Sequence, residues 1–205
     1  MPGQIVVLNG APRSGKSSIV AAIQETFDGV WMNLGVDVFV REVTPARYRP
    51  GIGLRPGDER PDLRPLMPSF YAALYGSIAA HSLEGLNVVV DVGHYDREIL
   101  AQCAALIRGL PVLFVGVRCP IDEIMRRRNA GQPGREGGYA TGTPDDPVPL
   151  PVRRWQEGVA SVGPYDLEVD TAVLDPAACA AVIRERLRDA RTPTAFDRLA
   201  PDART

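Results

Sequence analysis

Eight consecutive residues, Gly10-Ala-Pro-Arg-Ser-Gly-Lys-Ser17, carry the chemistry that is easiest to read in this sequence. Lys16 is the sole lysine, every other strongly basic side chain being arginine. The G-x-x-x-x-G-K-S spacing suits a loop whose main-chain N–H groups wrap phosphate oxygens at a helix N-terminus, where unpaired donors and the helix dipole favour negative charge. Gly10 and Gly15 permit close approach, with Ala11, Pro12, Arg13 and Ser14 forming the wall between them and Ser18 continuing the turn. In such a loop the lysine reaches the outer phosphates of a nucleoside triphosphate, and the Ser17 hydroxyl is placed for the Mg²⁺ that bridges them.

Further candidates lie downstream. Asp37 closes Leu34-Gly-Val-Asp37, and its carboxylate could orient an acceptor hydroxyl and take its proton; capping the following Val-Phe-Val stretch is the alternative of equal weight. Asp91 ends Val88-Val-Val-Asp91, a carboxylate after a buried strand, suited to Mg²⁺. His94, Tyr95 and Asp96 follow on the same edge and could line an acceptor pocket, although a lone histidine there reads first as a hydrogen-bonded loop residue. Arg126, Arg127 and Arg128 close a helical segment, with Arg135 just beyond. One of the four is expected to contact ATP or the transferring phosphoryl group, since guanidinium both stacks on bases and neutralises phosphate.

These residues need a scaffold. Strand-like runs recur at Gln4–Asn9, Trp31–Val36, Asn87–Val92, Pro111–Val117 and Leu167–Asp170. Helical patterns fall at Ser17–Phe27, Pro68–Ser82, Asp96–Arg108, Ile121–Asn129, Val152–Ser161 and Pro176–Ala190. The alternation predicts an α/β fold, a three-layer doubly wound parallel sheet of five core strands. Continuously apolar runs such as Val88-Val-Val90 fit strands covered on both faces. With 205 residues, 45% hydrophobic, one domain is expected.

Two segments stand outside this pattern, and their Pro, Gly and Arg content suggests an acceptor cap at 44–65 and a lid at 130–151; the tail, 191–205, reads as peripheral. Arg41, Arg47, Arg49, Arg55, Arg60 and Arg64 crowd the cap region. They point either to an anionic acceptor or to pairing with Asp58, Glu59 and Asp62.

A formal net charge of −2 argues against a general nucleic-acid binder, and no apolar run approaches bilayer length. Cys103, Cys119 and Cys179 lack C-x-x-C spacing and read as reduced core residues of a cytoplasmic protein.

Taken together, Ile5-Val-Val-Leu-Asn-Gly10 with its loop, Gly35-Val-Asp37, Val115-Gly-Val-Arg-Cys119 and Tyr165-Asp-Leu-Glu-Val-Asp-Thr171 resemble the chloramphenicol phosphotransferase family, in order, from about Gln4 to Thr171. The resemblance implies a P-loop kinase fold and Mg²⁺-dependent transfer of the γ-phosphoryl group of ATP to a hydroxyl of a small molecule, in that family chloramphenicol. It also implies Asp37 as general base, the loop from Gly10 to Ser17 as nucleotide site, and lid arginines. Arg127 falls where the first of these would be, a later one falls on Gly131, and Arg135 is displaced within a glycine-rich insertion. A metabolic kinase of shikimate or gluconate type, and a nucleotide-driven switch without a small-molecule acceptor, are the competing expectations.

Overall fold

The computed structural model describes residues 1–54, 60–131, 139–189 and 194–200. Five parallel strands, β1 (Ile5–Asn9), β2 (Trp31–Asn33), β3 (Asn87–Val92), β4 (Val112–Arg118) and β5 (Leu167–Asp170), form one sheet in the order β2-β3-β1-β4-β5. The glycine-loop strand therefore sits at the centre, and its neighbours β3 and β4 lie on opposite sides of it.

Residues along β1 alternate between two cores. Ile5 and Val7 face a cluster built with α3 (Met67–Leu83) and α4 (Arg97–Leu106), whereas Val6 and Leu8 face one built with α1 (Lys16–Thr26) and α7 (Pro176–Arg188). Burial on both faces explains why these strands read as unbroken apolar runs rather than as an alternating pattern. A third, smaller cluster, including Ile124, Met125 and Val152, joins α5 (Ile121–Asn129) to α6 (Leu150–Ser161).

The predicted strand Trp31–Val36 stops three residues early. Gly35 N donates to Asn33 Oδ1 at 2.9 Å, and the chain turns into a single helical turn, α2 (Val36–Val38), that continues as a π-helical turn over Phe39–Val43. Gly35, not Asp37, takes the position that precedes this helix, so the capping alternative for Asp37 is removed.

The described part of 44–65, the segment expected to form an acceptor cap, is ordered by burial. Ile52, Leu54 and Leu63 are nearly inaccessible and pack into the α3 core. Its arginines act as braces: Arg49 Nε donates to Thr44 O at 3.1 Å, while Arg60 donates to Arg49 O at 3.0 Å and Arg47 O at 3.1 Å and also pairs with Asp62. Arg55, Asp58 and Glu59 lie outside the described residues.

Of the tail expected to be peripheral, 191–193 and 201–205 lie outside the described residues, and the described part, 194–200, departs from that expectation. Residues Ala195–Leu199 form a short helix, α8, with a capping box at Thr194 and Asp197. Phe196 is 2% exposed, stacked on Tyr75 and edge-on to Phe114, and Asp166 Oδ1 accepts from Ala195 N at 2.7 Å. The segment completes a core face instead of lying on the periphery.

Candidate functional site

The loop from Gly10 to Ser17 joins β1 to α1 at the carboxyl edge of the sheet, where open α/β folds bind ligands. Gly15 precedes α1 at φ 97°, a left-handed conformation that a Cβ would strain, and no side chain caps the helix. At Gly10 a Cβ would meet Val117 O and Ser14 Oγ, each at 2.7 Å. Lys16 Nζ donates to Gly10 O at 2.8 Å and Ala11 O at 3.0 Å, which curls its ammonium over the loop. Burial lowers the Lys16 pKa; the charges of Asp91 and Asp37 oppose that shift and Arg128 reinforces it. Both carboxylates singled out from sequence therefore lie within electrostatic reach of the one lysine.

Ser17 Oγ donates to Asp91 Oδ2 at 2.8 Å. A hydroxyl and a carboxylate brought together are hard oxygen donors of the kind Mg²⁺ accepts, and Mg²⁺ commonly takes one or two protein ligands and completes its shell with waters and substrate phosphates. Among the described residues no group of three His, Cys, Asp or Glu is assembled. Ser17 and Asp91 fit the ion expected of them.

A cleft of about 350 Å³ opens beside the loop, lined by Arg13, Gly15, Lys16, Ser17, Ser18, Ile19, Arg127, Tyr139, Thr171, Leu174, Asp175 and Pro176. Cationic side chains (Arg13, Lys16, Arg127) and apolar ones (Ile19, Leu174, Pro176) share this lining.

The three consecutive arginines have three different fates. Arg126, with a 70% exposed side chain, forks onto Glu123 at 2.6 Å and lies outside the cleft. Arg127 turns inward, donating to Glu123 at 2.7 Å, to Thr171 O at 2.9 Å and Thr171 Oγ1 at 3.2 Å, and to Arg13 O at 3.3 Å. The two guanidiniums hold the Glu123 carboxyl down at about 2. Arg128 is buried, with its guanidinium 5.4 Å from the Tyr139 ring centre. Arg135 lies outside the described residues.

Sequence reasoning missed three residues as parts of the site. Thr171 Oγ1 donates to Ser14 O at 2.7 Å while receiving Arg127, tying β5 to the loop; its place in the Tyr165–Thr171 motif was the available signal. Tyr139, between Arg13 and Arg128 at 5.4 Å from each, had no sequence signal beyond being aromatic. Gly35 was noticed only as part of a motif. A Cβ there would stand 1.9 Å from Asp91 Oδ1.

Two candidates for lining an acceptor pocket have structural roles. Asp96 caps α4, accepting from Glu98 N at 2.9 Å and Ile99 N at 3.1 Å. His94 is 1% exposed, with Nε2 2.9 Å from Tyr75 Oη and its main chain clipped to Asn9. Burial pushes its pKa down to about 3, so the ring is neutral at ordinary pH. Tyr95 remains near the cap, its hydroxyl donating to Leu54 O at 3.4 Å.

The model of the chloramphenicol phosphotransferase-like protein family matches residues 3–188. The chain belongs to that family. Two Mycobacterium tuberculosis proteins, from different strains and provisionally named O-phosphotransferases, are each 27% identical to it over 96% of this chain and 88% of theirs. Among solved structures, a sugar kinase from Janibacter superposes with a TM-score of 0.61 at 16% identity, covering 98% of this chain and 99% of its own. The Mycobacterium tuberculosis APS kinase also gives 0.61 at 16% identity, covering 91% and 98%. The expected P-loop kinase architecture is thus found, and family and fold together support a kinase-type O-phosphotransferase. No described helix is long and apolar enough to cross a membrane.

Proposed function

We propose that the protein transfers the γ-phosphoryl group of ATP to a hydroxyl of a small molecule, with Asp37 as general base. The observation that supports this reading is the position of Asp37 in α2, shortly after β2, with its charge and that of Asp91 both acting on Lys16. On this reading Arg13 and Lys16 would meet the phosphates, and Ile19, Leu174 and Pro176, which line the same cleft, would offer the base apolar contact. Ser17 and Asp91 would hold Mg²⁺, which supplies charge neutralisation for the phosphate chain when bound.

The acceptor oxygen forms a bond to the γ-phosphorus as the bond to the β–γ bridging oxygen breaks. ADP leaves, and the acceptor proton passes to the Asp37 carboxylate. A carboxylate is too weak a base to ionise an alcohol beforehand; in a loose transition state it orients the hydroxyl and receives the proton late. Lys16 offsets the charge that moves onto the leaving phosphate.

Family membership makes chloramphenicol or a related hydroxylated antibiotic the first acceptor to test. Arg49 and Arg60 donate to main-chain carbonyls and Arg47 stacks 4.8 Å over Tyr48, so these three arginines have structural partners, and neutral alcohols are tested alongside anionic ones. Incubation with ATP, Mg²⁺ and a panel of hydroxylated antibiotics, shikimate and gluconate, read by mass spectrometry, should show one added phosphoryl group on one of these alcohols. Asp37→Asn should lower that transfer by about 10²–10⁴-fold and leave ATP affinity intact. Full activity in that variant removes Asp37 from the role.

A further inference from the structure

Gly35 has ordinary backbone angles, φ −62° and ψ 158°, so conformational freedom does not account for a glycine there. The space around it does. Its Cα lies against the Asp91 carboxylate so closely that an ideal Cβ would fall 1.9 Å from Oδ1 and 3.2 Å from Cγ, and 3.1 Å from Asn33 Oδ1. The other carboxylate oxygen of Asp91 receives Ser17 Oγ at 2.8 Å. Asp91 is therefore held between two neighbours, one that donates to it and one that merely leaves room.

Gly35 also stands two residues before Asp37 and immediately before the helical turn that carries it. Its N–H is fixed by Asn33 Oδ1 at 2.9 Å, and the adjacent Leu34 N is fixed to Val89 O of β3 at 3.1 Å. The backbone cannot retreat easily from an added methyl group. An alanine would push either the Asp91 carboxylate off Ser17 or the start of α2 away from β3.

We infer that Gly35 is a positioning residue that sets Asp91 on Ser17 and thereby fixes the spacing between the Mg²⁺-holding pair and Asp37. The inference rests on the reading of Ser17 and Asp91 given above. Residues that orient a ligand without touching the metal commonly change metal affinity by about 10- to 100-fold when replaced.

The test is a thermodynamic cycle on the full-length protein using Gly35→Ala, Asp91→Ala and the double variant. Calorimetric ATP binding is measured across Mg²⁺ concentrations, and thermal unfolding is measured in parallel. For Gly35→Ala, ATP affinity without Mg²⁺ should stay within about twofold of the parent while the Mg²⁺ concentration giving half of its enhancement rises about tenfold or more. Its melting temperature should fall by about 4 °C or more when Asp91 is present, and by less than about 1 °C in the Asp91→Ala background, since the clash partner is then gone.

A folded Gly35→Ala protein with unchanged Mg²⁺ linkage overturns the inference and leaves the phosphotransferase reading standing. Equal destabilisation, or failure to fold, in both backgrounds overturns it in favour of general packing. Failure to fold only when Asp91 is present supports it. If the parent protein shows no Mg²⁺ enhancement at all, the metal role of Ser17 and Asp91 falls, and that of Gly35 falls with it. Intact Mg²⁺ linkage with no transfer to any acceptor removes the proposed function alone.

Discussion

Arg13 and Arg127 each donate from the guanidinium group to the main-chain carbonyl of the other, and so clasp the phosphate loop to the last turn of α5. Arg13 makes this contact from a left-handed backbone, φ 74°, which is uncommon for a residue with a Cβ and is sustained where surroundings over-determine it. Tyr139 and Thr171 complete those surroundings. Arg127 therefore shapes the loop before it contributes charge.

It follows that Arg127→Ala should weaken ATP binding by about ten- to a hundredfold, the effect of losing one or two charge-assisted hydrogen bonds that hold the loop. Arg126→Ala, which removes only an exposed pair with Glu123, should leave ATP affinity unchanged. Calorimetry on both variants checks the contrast. Equal losses at the two positions would contradict the division of labour seen along the helix.

Asp91→Asn keeps the shape of the side chain and its ability to receive Ser17 Oγ, but removes the negative charge. ATP binding without Mg²⁺ should be preserved or slightly tightened, because a carboxylate near the phosphates is gone. The tightening that Mg²⁺ produces should shrink by about tenfold or more. A Mg²⁺ titration of ATP affinity reads both halves of the prediction.

His94 predicts acid sensitivity with a definite sign. Its folded-state pKa, about 3, lies below the ordinary 6.5, so the unfolded chain binds the proton first. The stability associated with the neutral ring is complete above about pH 6.5 and is lost progressively as pH falls toward about 3, with a limiting slope of about 1.4 kcal/mol per pH unit. Denaturant unfolding from pH 7 downward should show a slope that steepens through about pH 6.5 and approaches this limit near pH 5, and His94→Gln should flatten it despite a lower stability at pH 7. An unchanged slope would assign the sensitivity elsewhere.

Phe196→Ala should destabilise the protein by about 3–5 kcal/mol, as expected when a buried aromatic ring is removed from a packed core. ATP affinity measured well below the melting temperature should not change, because the ring faces Tyr75 and Phe114 on the side of the sheet away from α1.

What could be read in advance follows physical range. The five strands and the helices between them announce themselves through apolar runs set by local burial, and the glycine loop through spacing that a short turn alone enforces. The shortened β2 was hidden because Leu34 and Val36 look strand-like. The turn there is held by Asn33 Oδ1 on Gly35 N, and the need for a glycine comes from Asp91, 56 positions away. Arg126, Arg127 and Arg128 are chemically identical in sequence. About 100° of helical rotation per residue separates an exposed pair with Glu123, a strut on Thr171 and a buried stack on Tyr139. Phe196 looked peripheral because its partners, Tyr75 and Phe114, are remote in the chain. Arginines in the cap region pointed either to an anionic acceptor or to pairing with nearby acids; Arg60 does pair with Asp62, and Arg49 and Arg60 also satisfy main-chain carbonyls, a need that composition does not display.

The single lysine makes the protein its own reporter. Amine-selective acylation has one side-chain target, Lys16. A bound phosphate chain would shield that amine, so the count of acyl groups by mass, with and without nucleotide, measures occupancy of the loop on the unmodified sequence, with no engineered label.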